Sequence, residues 1–576
     1  MAVLLRIIFP FAVLLCIIFS VAVSMAMSSS TKIIVWFRND LRLHDSSLLH
    51  TALKQYKSQQ HSGTEFMCVY CFDTRFYSRS STLTAGISGG LRSSVFRSKF
   101  TLESVDCLRN NLRGVGSDLI VAVGKPEDII PSLLTGSSKS SQVFAQGEVT
   151  YEEIAIERRL QRRLHEMNGG AATLTLLTSD KSLYHSEDVQ KLFAGLASLP
   201  DVFTNFREKV EKNLRVREML PDINELPAAC TDATRAPAAM PALLDLYPDE
   251  ADKEEVRKEL EAINSSSDGG GSVGVMAFWG GEDSARARIK KWMFDDDNLK
   301  DYFEIRNGML GEKYSTKLSP WLANGCLSPR LLYYEGKRYE KERGIANKST
   351  YWIVFELLCR DFFYFVCKRY GSKTFKVGGF KGVNNRSWSD DSDAIERWRS
   401  GRTGVPLVDA NMRELAQTGW MSNRGRQNVA SYLCHELQID WRLGAEHFER
   451  FLLDHDPSSN YGNWNHAAGL HGGRVNRFNM VKQSKDYDAN GDYIRYWIPE
   501  LRGVPAPLLF EPWTMSAQQQ QQYGVAMGDS YPLPLAAPRG VAQGYEPRDP
   551  AKAFKATAFK GDGSGRRRGG ARVQHF

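Results

Sequence analysis

The stretch DHDPSSNYGNW, residues 454–464, carries Asp454, Asp456, Asn460 and Trp464 within eleven positions. Asp456 followed by Pro457 reads as an N-cap and first helical residue, so Asn460 and Trp464, four apart, share one helix face near its electropositive N-terminus. An electron-rich ring system can be held at such an end. Carboxylates placed before the cap can accept hydrogen bonds from an Arg or from the polar edge of an isoalloxazine, and Asn460 offers donor and acceptor without carrying a charge. Two more tryptophans, Trp388 and Trp441, stand upstream at wide spacing, and together the set suggests a flavin with an electron wire. Alone the pattern is weak, because a capped helix with one buried Trp has the same signature.

Outward from this stretch the chain changes character in blocks. Residues 32–205 alternate short β-branched runs with helical patterns, namely KIIVWF, EFMCVYCF, DLIVAVG, QVFAQ and TLTLL, which predicts a parallel α/β sheet. No GxGxxG or GxxxxGKS follows these strands, so no dinucleotide or Walker-type phosphate loop is predicted there. Residues 206–275 mix Pro and Ala with the acidic piece DKEEVRKELEAI and with SSSDGGGS, and read as an interdomain connector. From 276 to 505 the periodicity is helical and strand runs vanish, predicting an all-α domain. Residues 506–576 carry QQQQQ and end in GDGSGRRRGGARVQHF, a composition that lacks the apolar content to fold alone and predicts a disordered tail. Arg566, Arg567, Arg568 and Arg572 make that tail either a nucleic-acid tether, RNA included, or a merely solvated basic end.

With 576 residues and 42% apolar content the chain can bury two cores, and its formal charge of +7 suits a polyanionic partner as well as many other soluble enzymes. Nine cysteines without regular spacing do not form a disulfide framework and point to a reducing compartment. Cys68 and Cys71 form a CxxC inside an apolar strand run, where core packing is the better reading than redox or metal chemistry. No metal is expected. Residues 1–26 have the layout of a secretory-type signal or short anchor. The first half of an import leader for a plastid or mitochondrion, or an upstream extension before a start at Met25 or Met27, reads equally well. Nucleus and cytosol therefore stay open beside the organelles.

Five strings carry a resemblance that runs from Lys32 to about Pro505: WFRNDLRLHD (36–45), YSTKLSPWLANGCLSPR (314–330), NKSTYWIVFELLCRDFF (347–363), TGVPLVDANMRELAQTGWMSNRGRQNVASYL (403–433) and NMVKQSKDYDANGDYIRYWIPEL (479–501). In this order they resemble the photolyase and cryptochrome family, and SNRGRQNVASYL is similar to its cryptochrome DASH branch. The resemblance implies an N-terminal antenna-type α/β domain, a C-terminal helical FAD domain and blue-light chemistry on DNA.

Within YSTKLSPWL, the residues Ser315, Thr316, Lys317, Leu318 and Ser319 lead into Pro320, so amide groups, hydroxyls and a helix dipole converge as they would on a pyrophosphate. In the family this string clamps the FAD phosphates, and Tyr302 is expected to join it. Glu356 and Arg360 lie four apart in YWIVFELL, a setting too apolar for a surface ion pair. The resemblance puts Glu356 at the lesion and Arg360 beside the flavin. It also implies that Asn423 and Arg426 bind FAD, that Arg426 pairs with Asp454 over the ring, that Asp456 meets the pyrimidine-like edge, and that Asn460 faces N5. An amide at Asn460 cannot hand over a proton as an Asp would, which sides with photolyases and the DASH branch against plant cryptochromes. The implied electron relay is Trp464, Trp441 and Trp388, from flavin to surface. Glu148, after the fourth strand, is the implied contact to a folate antenna, 5,10-methenyltetrahydrofolate.

Two positions depart from the family pattern. Where the family has a Trp wall in ELLWRD this chain has Cys359, and where it has a Tyr or Trp beyond the proximal tryptophan it has His466. Stacking is worth roughly 1–3 kcal/mol per base, so these losses would weaken lesion binding by about one to four orders of magnitude. The expectation is therefore an intact redox machinery with an impaired substrate pocket. Repair of cyclobutane pyrimidine dimers, preferentially in single-stranded DNA, stands beside a photoreceptor role with an unnamed signalling partner, in a monomer. A light-independent flavin oxidoreductase would need a nicotinamide site, and none is readable.

Overall fold

The computed structural model describes residues 31–536, apart from 60–62, 81–86, 136–140, 168–171, 179–180, 230–238, 266–275 and 384–385. The leader-like residues 1–26 and the arginines at 566–572 lie outside the described residues.

Five parallel strands form one sheet: β1 (Lys32–Phe37), β2 (Glu65–Phe72), β3 (Leu119–Val123), β4 (Ser141–Gln146) and β5 (Ala172–Leu177), in the order β3-β2-β1-β4-β5. Both faces of such a sheet are covered, which is why β1 reads as a continuous apolar run. Alternate residues serve different cores. Ile33, Val35 and Phe37 join the large cluster that continues into the helical domain, while Ile34 and Trp36 pack with Ile130, Ile156 and Leu160 on the other face. Cys68 and Cys71 fall on these opposite faces as free, buried thiols whose pKa burial pushes far up, so they are core residues. The chain reverses direction across the sheet between β1 and β4, and the loops after these strands open the crevice where α/β sheets take ligands.

The connector is itself folded where it is described. Its helix Glu250–Ser265 is tied to the helical domain by Arg450, which bonds Glu255 at 2.7 Å and Glu259 at 3.3 Å. Helix Phe203–Asn213 places Phe206 against Phe362 and Phe365.

Residues 506–536, expected to belong to a disordered tail, are ordered, and 537–576 lie outside the described residues. The ordered part is folded onto the helical domain: Leu509, Phe510, Met515, Val525 and Tyr531 share a buried cluster with Ile494, Trp497 and Leu501. The glutamine run lies in helix Ala517–Tyr523, started by a Ser516–Gln519 capping box and stopped by Gly524 at φ +67°. Tyr531, fully buried, donates to Asp409 Oδ2 at 2.6 Å. Sparse apolar residues that could not build a core alone are enough to dock on one already formed. Among the described residues no helix is long and apolar enough to cross a membrane.

Candidate functional site

Five helices build the site: α1 (Ser319–Ala323), α2 (Lys348–Tyr370), α3 (Asn423–Ser431), α4 (Trp441–Phe451) and α5 (Pro457–Ala467). In α5 the Asp456 carboxylate caps the helix by accepting from Ser459 N at 2.7 Å. Asn460 Nδ2 donates to Ala445 O at 2.9 Å, which fixes the amide and leaves its oxygen for the cleft. Asp454 Oδ2 accepts from Ser319 Oγ at 2.6 Å and from Arg426 Nη2 at 2.9 Å, joining α1, α3 and the start of α5. Its other oxygen, Oδ1, is buried without a hydrogen-bond donor among the described residues. Asp456 is held below the usual carboxylate range by Arg360 and Lys181, against the opposing effect of burial. Gly425 is required in the first turn of α3, since a Cβ there would stand 1.8 Å from Asn411 Oδ1.

The loop before α1 is pinned from behind. Arg288 donates to the carbonyls of Thr316 (2.9 Å), Glu312 (2.7 Å) and Ser315 (3.0 Å). Lys317 sits at φ +53°, and its buried ammonium lies 3.3 Å from the Tyr314 ring centroid, where burial pushes its pKa well down. Tyr302 is buried behind the 315–319 loop, where its hydroxyl meets Ser315 and Thr316 and donates to Glu356 Oε2 at 2.6 Å. It supports Glu356 from behind the loop.

Glu356 and Arg360, four apart on α2, take different partners. Glu356 projects into the cleft, open to water yet enclosed by the walls, and that enclosure raises its pKa despite Tyr302 and Arg306. Arg360 turns to the carbonyls of Lys181 and of Leu322, the latter at 3.1 Å. Cys359 lines the same cleft with its thiol pushed far up by burial, so it is protonated and not a nucleophile. His466 stacks on His471 with centroids 3.7 Å apart and 12° between planes, and stands edge-on to Phe363 at 5.2 Å. Burial keeps both imidazoles neutral, His471 down at about 4.

The cleft has two connected parts. The larger, about 1670 Å³ to its open mouth, is lined by residues 315–319, Glu356, Cys359, Arg360 and Asp456. The smaller, about 910 Å³, is lined by Asn460, Trp464, Phe448 and Phe478. Asp454, Asn423, Arg426 and His466 belong to both. A dinucleotide with one flat ring fits this shape, and the orphaned Asp454 oxygen marks where a polar edge would bond.

Trp464, Trp441 and Trp388 lie in or beside α4 and α5. Trp464 is buried against α4, where Gly444 gives way to it: a Cβ there would stand 2.2 Å from the ring. Trp441 opens α4, fully buried, with Nε1 donating to Val377 O at 3.1 Å. A β-bridge between Ser389 and Ile439 sets half-buried Trp388 beside the segment entering α4. Trp398, which the sequence reading missed, stands 6.3 Å from Trp464 centroid to centroid. It was not separable from ordinary core tryptophans by spacing.

Glu148 already has protein partners. Its carboxylate is buried, paired with Lys181, and accepts from Asn39 Nδ2 at 3.2 Å. A separate cavity of about 1060 Å³ lies next to it, between the sheet crevice and the helical domain, and Glu153 lines it instead. Burial and the neighbouring Glu148 raise the Glu153 carboxyl to about 8.

Comparison with known proteins agrees with this geometry. Residues 352–543 match the FAD binding domain of DNA photolyase, and residues 33–228 match the DNA photolyase family. The chain is 43% identical to a chloroplastic/mitochondrial cryptochrome DASH of Ostreococcus tauri over 88% of this chain and 91% of that one. It is 43% identical to a cryptochrome DASH of Synechocystis over 87% and 94%. The crystal structure of a Synechocystis cryptochrome superposes with a TM-score of 0.76 at 41% identity, covering 88% of this chain and 97% of that one. A class III photolyase of Agrobacterium tumefaciens gives 0.69 at 26% identity, over 89% and 95%. The chain belongs to the photolyase and cryptochrome family, in its cryptochrome DASH branch. FAD is its cofactor, and DNA is its class of macromolecular partner.

Proposed function

We propose that the protein uses blue light absorbed by FAD to split cyclobutane pyrimidine dimers, in single strands in preference to duplex, with reduced efficiency. The observation that carries this reading is that Glu356 opens into the same cleft as Asp454 and Asp456, so a flipped base entering the mouth meets an acid next to the cofactor's place. When bound, FAD supplies the photochemical electron. The chain's part is to hold and to shield: residues 315–319 and Arg426 hold the dinucleotide, and ionised Asp456 takes hydrogen bonds from the ring edge. Asn460 keeps a neutral amide where a proton donor would stand. Glu356, held by Tyr302, presents its carboxyl group where a pyrimidine edge would hydrogen-bond. Electrons replenishing the cofactor pass through Trp388, Trp441 and Trp464.

Flipping costs least in single strands, and the cost is poorly offset here because Cys359 and the His466–His471 stack stand where larger aromatic walls would. Those replacements favour the second reading, a photoreceptor with little repair. Repair of a defined thymine dimer by the purified monomer, in single and double strands, decides between them: no lesion loss in either substrate overturns the enzyme reading. A folate antenna is assigned to the cavity lined by Glu153. Near-ultraviolet absorbance beyond that of FAD should be lost in E153A, and a wild-type protein that takes up no folate removes the antenna.

A further inference from the structure

Trp388 does not meet solvent as a bare ring. The Arg386 guanidinium lies over its face, 4.0 Å from the centroid. That charge is held in place: Arg386 donates to Ala468 O at 2.6 Å, to Cys434 O, and to His435 Nδ1 at 3.3 Å. His435 Nε2 in turn bonds Ala467 O at 2.8 Å, so this imidazole presents an acceptor to Arg386 and adds no charge of its own. Arg477 lies close enough to act on Arg386 as a second positive group. The carboxylates next in sequence, Asp390 and Asp391, are exposed, and Asp391 is turned to cap the helix Ser392–Arg399. Water screens them, whereas the half-buried guanidinium acts on the ring at contact distance.

A neutral indole is attracted to such a cation, but an oxidised one is repelled by it, so the contact reverses sign when the ring loses an electron. Given the relay proposed above, we propose that Arg386 is a positioning residue that makes Trp388 the uphill end of the tryptophan chain. One electron moves from Trp388 to oxidised Trp441, leaving a positive indole under a fixed positive charge. Unless an external one-electron donor such as a thiol reduces Trp388 first, the electron returns and the charge separation collapses. Net photoreduction thus depends on a donor reaching this patch of surface.

The test uses FAD-loaded protein and flash spectroscopy of the tryptophan radical, with photoreduction followed at limiting thiol. R386Q removes the charge and should lengthen the radical's life and raise the low-thiol rate by about tenfold. R386K, which keeps a charge, should stay within about twofold of wild type. A merely structural clamp gives the opposite sign, since loosening the Cys434 and Ala468 contacts would slow the relay. Unchanged or slower kinetics in R386Q, or an equal gain in R386K, overturns the proposal while leaving the relay standing. A wild-type radical that W388F does not alter removes the relay, and the proposal with it. R386M is the second neutral replacement should R386Q fail to retain FAD.

Discussion

The inner and outer walls of the cleft differ in how far their polar groups are already committed. On the inner wall Asp454 holds two helices together, Asp456 caps a third, and Ala445 fixes the Asn460 amide. On the outer wall Glu356 leans on Tyr302, Cys359 is an inert thiol, and His466 is set by ring contacts. On the proposed reading the inner residues serve the fold and the cofactor at once, so replacing one disturbs both. The outer residues serve mainly whatever enters the mouth, and they can change while the fold persists. Cys359 and His466 are such changes.

The largest expected effect breaks the inner wall. D454N removes the charge that pairs with Arg426 and leaves one amide oxygen to serve both Arg426 and Ser319. Purified D454N should be colourless, and normal FAD content would show that the wall is less committed than its bonds indicate. Next, Phe at Trp464, Trp441 and Trp388 together should cut thiol-dependent photoreduction by at least about tenfold. An unchanged rate would remove these residues from the electron path. Restoring the outer wall is a smaller effect of opposite sign. C359W with H466Y should tighten binding of a single-stranded thymine dimer by roughly 1–3 kcal/mol for each stack gained, with photoreduction unaltered. E356A in that background should abolish the gain in repair, and no gain from the pair would mean another group already lines the mouth.

The smallest effect is a pH slope. His447, behind the inner wall against Trp398, is pushed down to about 3 by burial. Its unfolded value is near 6.5, so as pH falls below about 6.5 the unfolded chain takes up a proton that the native state refuses. Stability then drops by up to about 1.4 kcal/mol per pH unit. Thermal melts between pH 7 and 5 should show H447Q losing less stability than wild type. Parallel slopes would mean that His447 is protonated in the native state.

Residues that act through local spacing were legible in the sequence. Apolar runs gave the five strands, and Asp456–Pro457 gave the start of α5. Long-range partners were not. Arg288 reaches back to a loop more than twenty residues on, and Lys181 neutralises Glu148 from the far side of β5. Such pairings depend on which loops the sheet order brings together. Tyr302 and Glu356, 54 positions apart, were both singled out, yet only the packing of their helices shows one holding the other. The tail was misjudged from 506 to 536 because composition reports whether a segment can fold alone, not whether a docking surface awaits it.

That docked segment fixes where the molecule can be cut or extended. Arg397 bonds Leu533 O at 2.9 Å, Leu535 N bonds Thr403 O at 2.9 Å, and a Cβ at Gly404 would strike the Leu533 backbone at 2.4 Å, so residues 531–535 lie flush on the loop they cross. A protein ended at 505 would leave this face bare and prone to self-association. Leu535 and Ala536 pack into the cluster that also holds Trp388. A fusion joined after Ala536 would keep this cover in place, whereas one joined at 505 would lose it.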